Sequence, residues 1–221
     1  MGRRFEAVIF DFGGVIASSP FEAFRRIEEA RALPSDFIRS VNAANPDGNA
    51  WARFERGEID RAGFEALFAD ESAALGHRLD GGEVLAVIAG EVRGAMVAAL
   101  DRLRAEGYRI ACITNNMKGQ RGPGMATSDE AMRRYDAVFA RFEHVLESAV
   151  AGVRKPDPRI FAMMCDLLGV APQSCVFLDD IGVNCKGAAS IGMTAIKVTG
   201  EMQALADLGA LLDLSLDAAS G

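Results

Sequence analysis

A small set of apolar runs, each stopping at a polar or charged residue, constrains this chain most. Ala7-Val8-Ile9-Phe10 is continuously apolar and ends at Asp11. Similar runs recur at Ile110–Ile113, Cys175–Leu178 and Thr194–Val198, with a weaker one at His144–Leu146. Continuous rather than alternating hydrophobicity suits strands buried on both faces, as in a parallel sheet. Helical patterns separate the runs. Met96, Val97, Leu100 and Leu103 form an apolar stripe, and Gly107 stands where a C-terminal cap belongs. Asp157-Pro158 reads as a cap followed by a first-turn proline, opening a helix that carries Ile160, Phe161, Met164 and Leu168 and ends near Gly169. This alternation predicts an α/β fold, a Rossmann-like parallel sheet with helices on both faces.

From about Ser18 to Gly90 the rhythm breaks and no convincing strand occurs. Ser19-Pro20-Phe21-Glu22 reads as a capping box with Ser19 as the cap. Asp60 reads as a second cap, with Ile59 and Phe64 placed for a hydrophobic staple before a helix carrying Phe64, Leu67, Phe68 and Leu75. Asn45–Asn49 is a loop by composition. The expected organisation is a discontinuous core, residues 1–16 and 91–221, with an inserted α-helical cap domain at 17–90. Gly119–Ser128 is expected to be a mobile loop able to shape a pocket, and the tail from Leu214 is expected to fray.

Charge and cysteine usage narrow the function class. Lys+Arg 24 against Asp+Glu 31 gives a net charge of -7, which argues against a nucleic-acid partner. No apolar run approaches the roughly 20 residues that span a bilayer. The N-terminus lacks a signal-peptide core, and Glu6 breaks the myristoylation pattern that Met1-Gly2 begins. Cys112, Cys165, Cys175 and Cys185 show no metal-binding or disulfide spacing and read as reduced thiols. The expectation is a soluble cytoplasmic protein with no membrane partner, monomeric or a homodimer.

In an open parallel sheet, ligands bind beyond the carboxyl ends of the strands. Those ends carry Asp11-Phe12-Gly13-Gly14-Val15, then Thr114-Asn115-Asn116, then Arg154-Lys155-Pro156-Asp157-Pro158, then Asp179-Asp180. Carboxylates, a lysine and a hydroxyl thus converge on one edge. Like charges packed together need a cation, which the lysine and a divalent metal would supply.

In this order and spacing, the segments resemble the haloacid dehalogenase (HAD) superfamily. The likeness covers nearly the whole chain. It is nearest to the phosphatase-like N-terminal domain of soluble epoxide hydrolases and the related domain of some acyl-CoA dehydrogenase fusions. The resemblance implies Asp11 as the nucleophile that becomes an aspartyl phosphate, with Thr114 bonded to a phosphoryl oxygen and Asn115 lining the pocket. It implies that Lys155 neutralises charge and that Asp11, the Gly13 carbonyl and Asp180 bind Mg²⁺. Asp179 would hold the metal through water or orient Lys155. Gly14 and Arg53 are further candidates for substrate contact, with Asn49 beside Arg53 as an alternative. Trp51 suits the core better than a substrate platform. Asn184 either caps the helix after Asp180 or joins the metal shell.

Gly13 departs from the family pattern. Phosphatases of this superfamily carry there the Asp that protonates the leaving alcohol and later activates water. Such help is worth about 10²–10⁴ in rate. The implied activity is Mg²⁺-dependent hydrolysis of a small phosphorylated metabolite. The alternatives are a weak or non-catalytic phosphate-binding domain and a 2-haloacid dehalogenase. The Asp179-Asp180 pair argues against the dehalogenase, which needs no metal.

Overall fold

The structure, a computed structural model, describes residues 3–116, 126 and 128–216. In chain order the elements begin with β1 (Ala7–Phe10), followed by five helices. These are α1 (Phe21–Ala30), α2 (Phe37–Ala44), α3 (Ala50–Glu55), α4 (Arg61–Ala74) and α5 (Gly81–Ala86). Then come α6 (Gly94–Ala105), β2 (Arg109–Thr114), α7 (Asp129–Phe139), β3 (His144–Glu147) and α8 (Ser148–Ala151). The last are α9 (Pro158–Leu168), β4 (Cys175–Asp179), α10 (Gly182–Ser190), β5 (Thr194–Lys197) and α11 (Glu201–Leu212). Among the described residues, five strands run parallel in the order β3-β2-β1-β4-β5.

The period-two geometry of a strand explains the continuous apolar runs. Val8, Phe10, Ile110, Cys112, Val176 and Leu178 face one layer, where Met96, Leu100, Tyr135 and Leu208 cover them. Ala7, Ile9, Ala111, Ile113, Cys175 and Phe177 face the other, under Ile160, Phe161, Met164 and Leu168 of α9. The α9 cap forms as its sequence indicates, Asp157 accepting from the Arg159 N–H and Gly169 closing the helix at φ 60°.

Helices α1–α5 surround a separate apolar cluster drawn from residues 24–88, which includes the fully buried Phe54, Phe64 and Phe68. Trp51 lies in it, edge-on to Phe64 at 4.9 Å between ring centroids. The chain leaves and re-enters the sheet layer through two adjacent segments. Ser18 N–H donates to Glu91 O (2.8 Å) and Arg93 N–H to Ile16 O (2.9 Å), with Ala17 bridged antiparallel to Val92. Gly90 permits this approach, since a Cβ there would lie 2.3 Å from Ser18 O.

Asp60 caps α4 by accepting from the Gly63 N–H at 2.8 Å. Ser19 does not cap α1, and the Glu22 side chain lies outside the described residues. Pro20 takes the cap position with αR geometry and no side-chain cap bond, which leaves Ser19 one residue too early to reach the first turn. Leu75 also departs from expectation. It falls just past the end of α4 and is 44% exposed. Leu214 and Leu216 pack on the core rather than fraying. Residues 217–221 and most of Gly119–Ser128 lie outside the described residues, while Ser128 caps α7 through the Ala131 N–H.

Candidate active site

Strands β1 and β4 lie side by side in the sheet, although the chain visits β2 and β3 between them. That reversal is a topological switch point, where the loops beyond the strand ends diverge and leave a crevice. Asp11 follows β1, and its N–H donates to Leu178 O at 2.8 Å. Asp179 ends β4, and Asp180 follows. One carboxylate oxygen from each of Asp11, Asp179 and Asp180 falls within a 4.8 Å cluster.

Lys155 reaches this cluster from the loop before α9. Its side chain is 1% exposed, and Nζ lies 2.8 Å from Asp11 Oδ1 and 2.7 Å from Asp179 Oδ2. Burial pushes the lysine toward neutrality, but Asp11 and Asp179 overcome this and raise its pKa. Asp179 is fully buried, and both its oxygens are engaged. Oδ1 accepts from the Ile181 N–H (2.8 Å), and Asn184 Nδ2 donates to Oδ1 (3.0 Å) and Oδ2 (3.1 Å). Burial drives Asp11 well above the usual carboxylate range; Lys155 opposes this, while Asp179 and Asp180 add to it. Burial and Asp179 push Asp180 up to about 6 against Lys155 and the Ser19 hydroxyl. Three carboxylates against one ammonium leave an excess of negative charge on oxygen donors. That donor set suits a hard dication such as Mg²⁺.

Residues 5–192 match the family model described as haloacid dehalogenase-like hydrolase. The chain belongs to that family. Acyl-CoA dehydrogenase family member 10 of Mus musculus is 32% identical over 220 residues, 97% of this chain and 20% of that protein. Bifunctional epoxide hydrolase 2 of Mus musculus is 30% identical over 211 residues, 90% of this chain and 37% of that protein. The chain therefore spans well under half the length of these relatives. Among solved structures, a HAD family enzyme from Bacteroides thetaiotaomicron in complex with magnesium and inorganic phosphate has a TM-score of 0.55. It is 19% identical, the alignment covering 89% of this chain and 96% of that one.

The other residues expected at this HAD-like site are placed unequally. Thr114 is buried at the end of β2. Asn115 brackets the Lys155 peptide, Oδ1 accepting from its N–H (2.9 Å) and Nδ2 donating to its carbonyl (3.1 Å). Asn116 ties the same loop to β3 and α8 through Glu147 and Ser148. Gly14, at φ +79°, packs directly against the Asp180 carboxylate. Gly13 has open space where a Cβ would stand, so neither φ nor packing demands glycine there. Arg53 is drawn to Glu58 at 3.8 Å. Asn49 is buried and caps α3 by accepting from the Ala52 N–H at 2.7 Å, which occupies it structurally. Asn184 is not a helix cap, because Ile181 holds that position in α10.

Some neighbours carry no local sequence signal. Arg93 Nη1 donates to Gly14 O at 2.9 Å and fixes the loop after β1. The Ser19 hydroxyl is buried near Asp180 without a well-aligned hydrogen bond. Glu55, at the end of α3, pairs with Arg154 at 2.6 Å.

Proposed function

We propose that this chain is a Mg²⁺-dependent phosphomonoesterase that acts on a small phosphorylated metabolite through an aspartyl phosphate on Asp11. The buried Lys155, held between Asp11 and Asp179 inside a three-carboxylate cluster, carries the reading. The Bacteroides structure, with magnesium and inorganic phosphate, supports it by analogy of fold.

Asp11, Asp180 and the Gly13 carbonyl would hold the metal, with Asp179 behind them fixing Lys155. Bound Mg²⁺ would screen the phosphoryl oxygens from the attacking carboxylate. Lys155 Nζ orients Asp11 Oδ1, leaving the other carboxylate oxygen to attack phosphorus. Thr114 would donate to a non-transferred phosphoryl oxygen, and Asn115 would wall the pocket. Forming the aspartyl phosphate and then hydrolysing it divides one hard step into two. We also propose that 17–90 is a helical cap over the core of 1–16 and 91–221. Its separate apolar cluster and the paired crossing segments support that division.

The test is hydrolysis of p-nitrophenyl phosphate with Mg²⁺, with chelator, and with Asp11→Asn. Turnover should need both the metal and the carboxylate. Undiminished activity after chelation or in Asp11→Asn would overturn the reading.

A further inference from the structure

Position 13 offers room for a side chain and has none. A phosphomonoesterase still has to protonate a leaving alkoxide and deprotonate a water. The inserted helices bring the part-buried carboxylate of Glu55 to the edge that holds Thr114 and Lys155. Glu55 ends α3 with its side chain 14% exposed. Its Oε2 lies 3.5 Å from Asn115 Nδ2 and 2.6 Å from Arg154 Nε. Asn115 directly follows Thr114 and grips the Lys155 peptide, so Glu55 abuts the loops that form the pocket. Arg154 holds the same carboxylate by a short Nε–Oε2 ion pair.

We propose that Glu55 handles the proton in place of the carboxylate absent at position 13. The proposal rests on the phosphomonoesterase reading above. As Asp11 forms its bond to phosphorus and the ester P–O bond breaks, the Glu55 carboxylic acid gives its proton to the leaving oxygen. An alcohol, an aspartyl phosphate and a Glu55 carboxylate result. Water then attacks phosphorus and loses a proton to Glu55, which frees phosphate and restores both Asp11 and the protonated Glu55. Burial raises the Glu55 pKa despite the opposing Arg154, Lys155 and Arg56, the charged groups that face it.

The experiment compares p-nitrophenyl phosphate, a good leaving group, with butyl phosphate, a poor one. Glu55→Gln should lower kcat/KM for butyl phosphate by about 100-fold or more and for p-nitrophenyl phosphate by less than ~10-fold. In the native chain, kcat for butyl phosphate should fall as pH rises through the Glu55 pKa, and Glu55→Gln should abolish that limb. Gly13→Asp in the Glu55→Gln background should restore the butyl phosphate rate. Equal losses on both substrates with an unchanged pH profile would overturn the proposal and leave the phosphomonoesterase reading intact. Gly13→Asp in the otherwise native chain decides the matter even where Glu55 variants fold poorly. A gain below ~10-fold on butyl phosphate supports Glu55, and a gain of about 100-fold or more shows that nothing was supplying the proton. Absence of any Asp11-dependent hydrolysis of p-nitrophenyl phosphate would instead remove the parent reading.

Discussion

Gly14 exists in this loop because Asp180 occupies the space its side chain would need. A Cβ at position 14 would lie 2.1 Å from Asp180 Oδ2, and the backbone there has φ +79°. Gly13, one residue earlier, meets nothing within 4 Å and has no left-handed φ. Gly14→Ala should therefore displace Asp180 and cost about 1–3 kcal/mol in backbone strain. Gly13→Ala should cost no more than about 1 kcal/mol. Thermal melts with a Mg²⁺ titration of each variant check this. Equal effects at the two positions would contradict it.

Lys155 is the counter-charge for two buried carboxylates at once. Lys155→Met keeps the length of the side chain and removes its charge. Breaking a buried pair from one side typically costs about 3–5 kcal/mol, because the partner is left unpaired. Urea unfolding should show a loss of that size, together with loss of turnover. Excess Mg²⁺ should recover part of the stability and none of the turnover. A loss below about 1 kcal/mol would mean that solvent already compensates Asp11 and Asp179.

The edge of the sheet was legible because parallel topology turns strand ends into neighbours. Asp11, Thr114 and Asp179 needed only the apolar runs that precede them, and Asp60 needed only its own first turn. What stayed hidden depends on contacts distant in sequence. Arg93 reaches back 79 residues to the Gly14 carbonyl. Glu55 finds Asn115 60 residues ahead, which only the placement of α3 determines. Ser19 misled for a local reason. Pro20 itself takes the cap position, so the helix starts one residue later than a serine cap would require.

The acidic cluster makes stability depend on pH in a definite direction. Asp180 sits at about 6 in the fold against 3.8 for an ordinary aspartate, and Asp11 is also raised. A raised carboxylate favours the fold below its unfolded pKa, and that contribution is lost as pH climbs through the folded value. For Asp180 the loss is about 3 kcal/mol between pH 4 and pH 7 without a divalent cation. Native chain and Asp180→Asn, melted across that range in chelator, should differ in slope in this sense. Mg²⁺ should raise the native melting temperature at pH 7.5 and have little effect at pH 4, where the carboxyls hold protons. A native slope equal to that of Asp180→Asn would exclude a contribution from Asp180.

Asn49 offers a clean separation of fold from substrate contact. Its Oδ1 accepts from the Ala52 N–H at 2.7 Å, and its Nδ2 donates to Asn42 O at 2.5 Å. Glu71 takes the neighbouring Ala50 N–H at 2.9 Å, so the start of α3 is satisfied by two side chains from different parts of the chain. Asn49→Ala removes one of them and costs about 1 kcal/mol, typical of a lost helix cap. In a domain of this size that is a fall of roughly 2–4 °C in melting temperature. Because Asn49 is buried in these contacts, KM for p-nitrophenyl phosphate should stay within about twofold of native. Asn49→Asp keeps the acceptor that the Ala52 N–H needs and should recover most of the loss. A variant with native stability and a KM raised tenfold or more would instead place Asn49 in the substrate pocket.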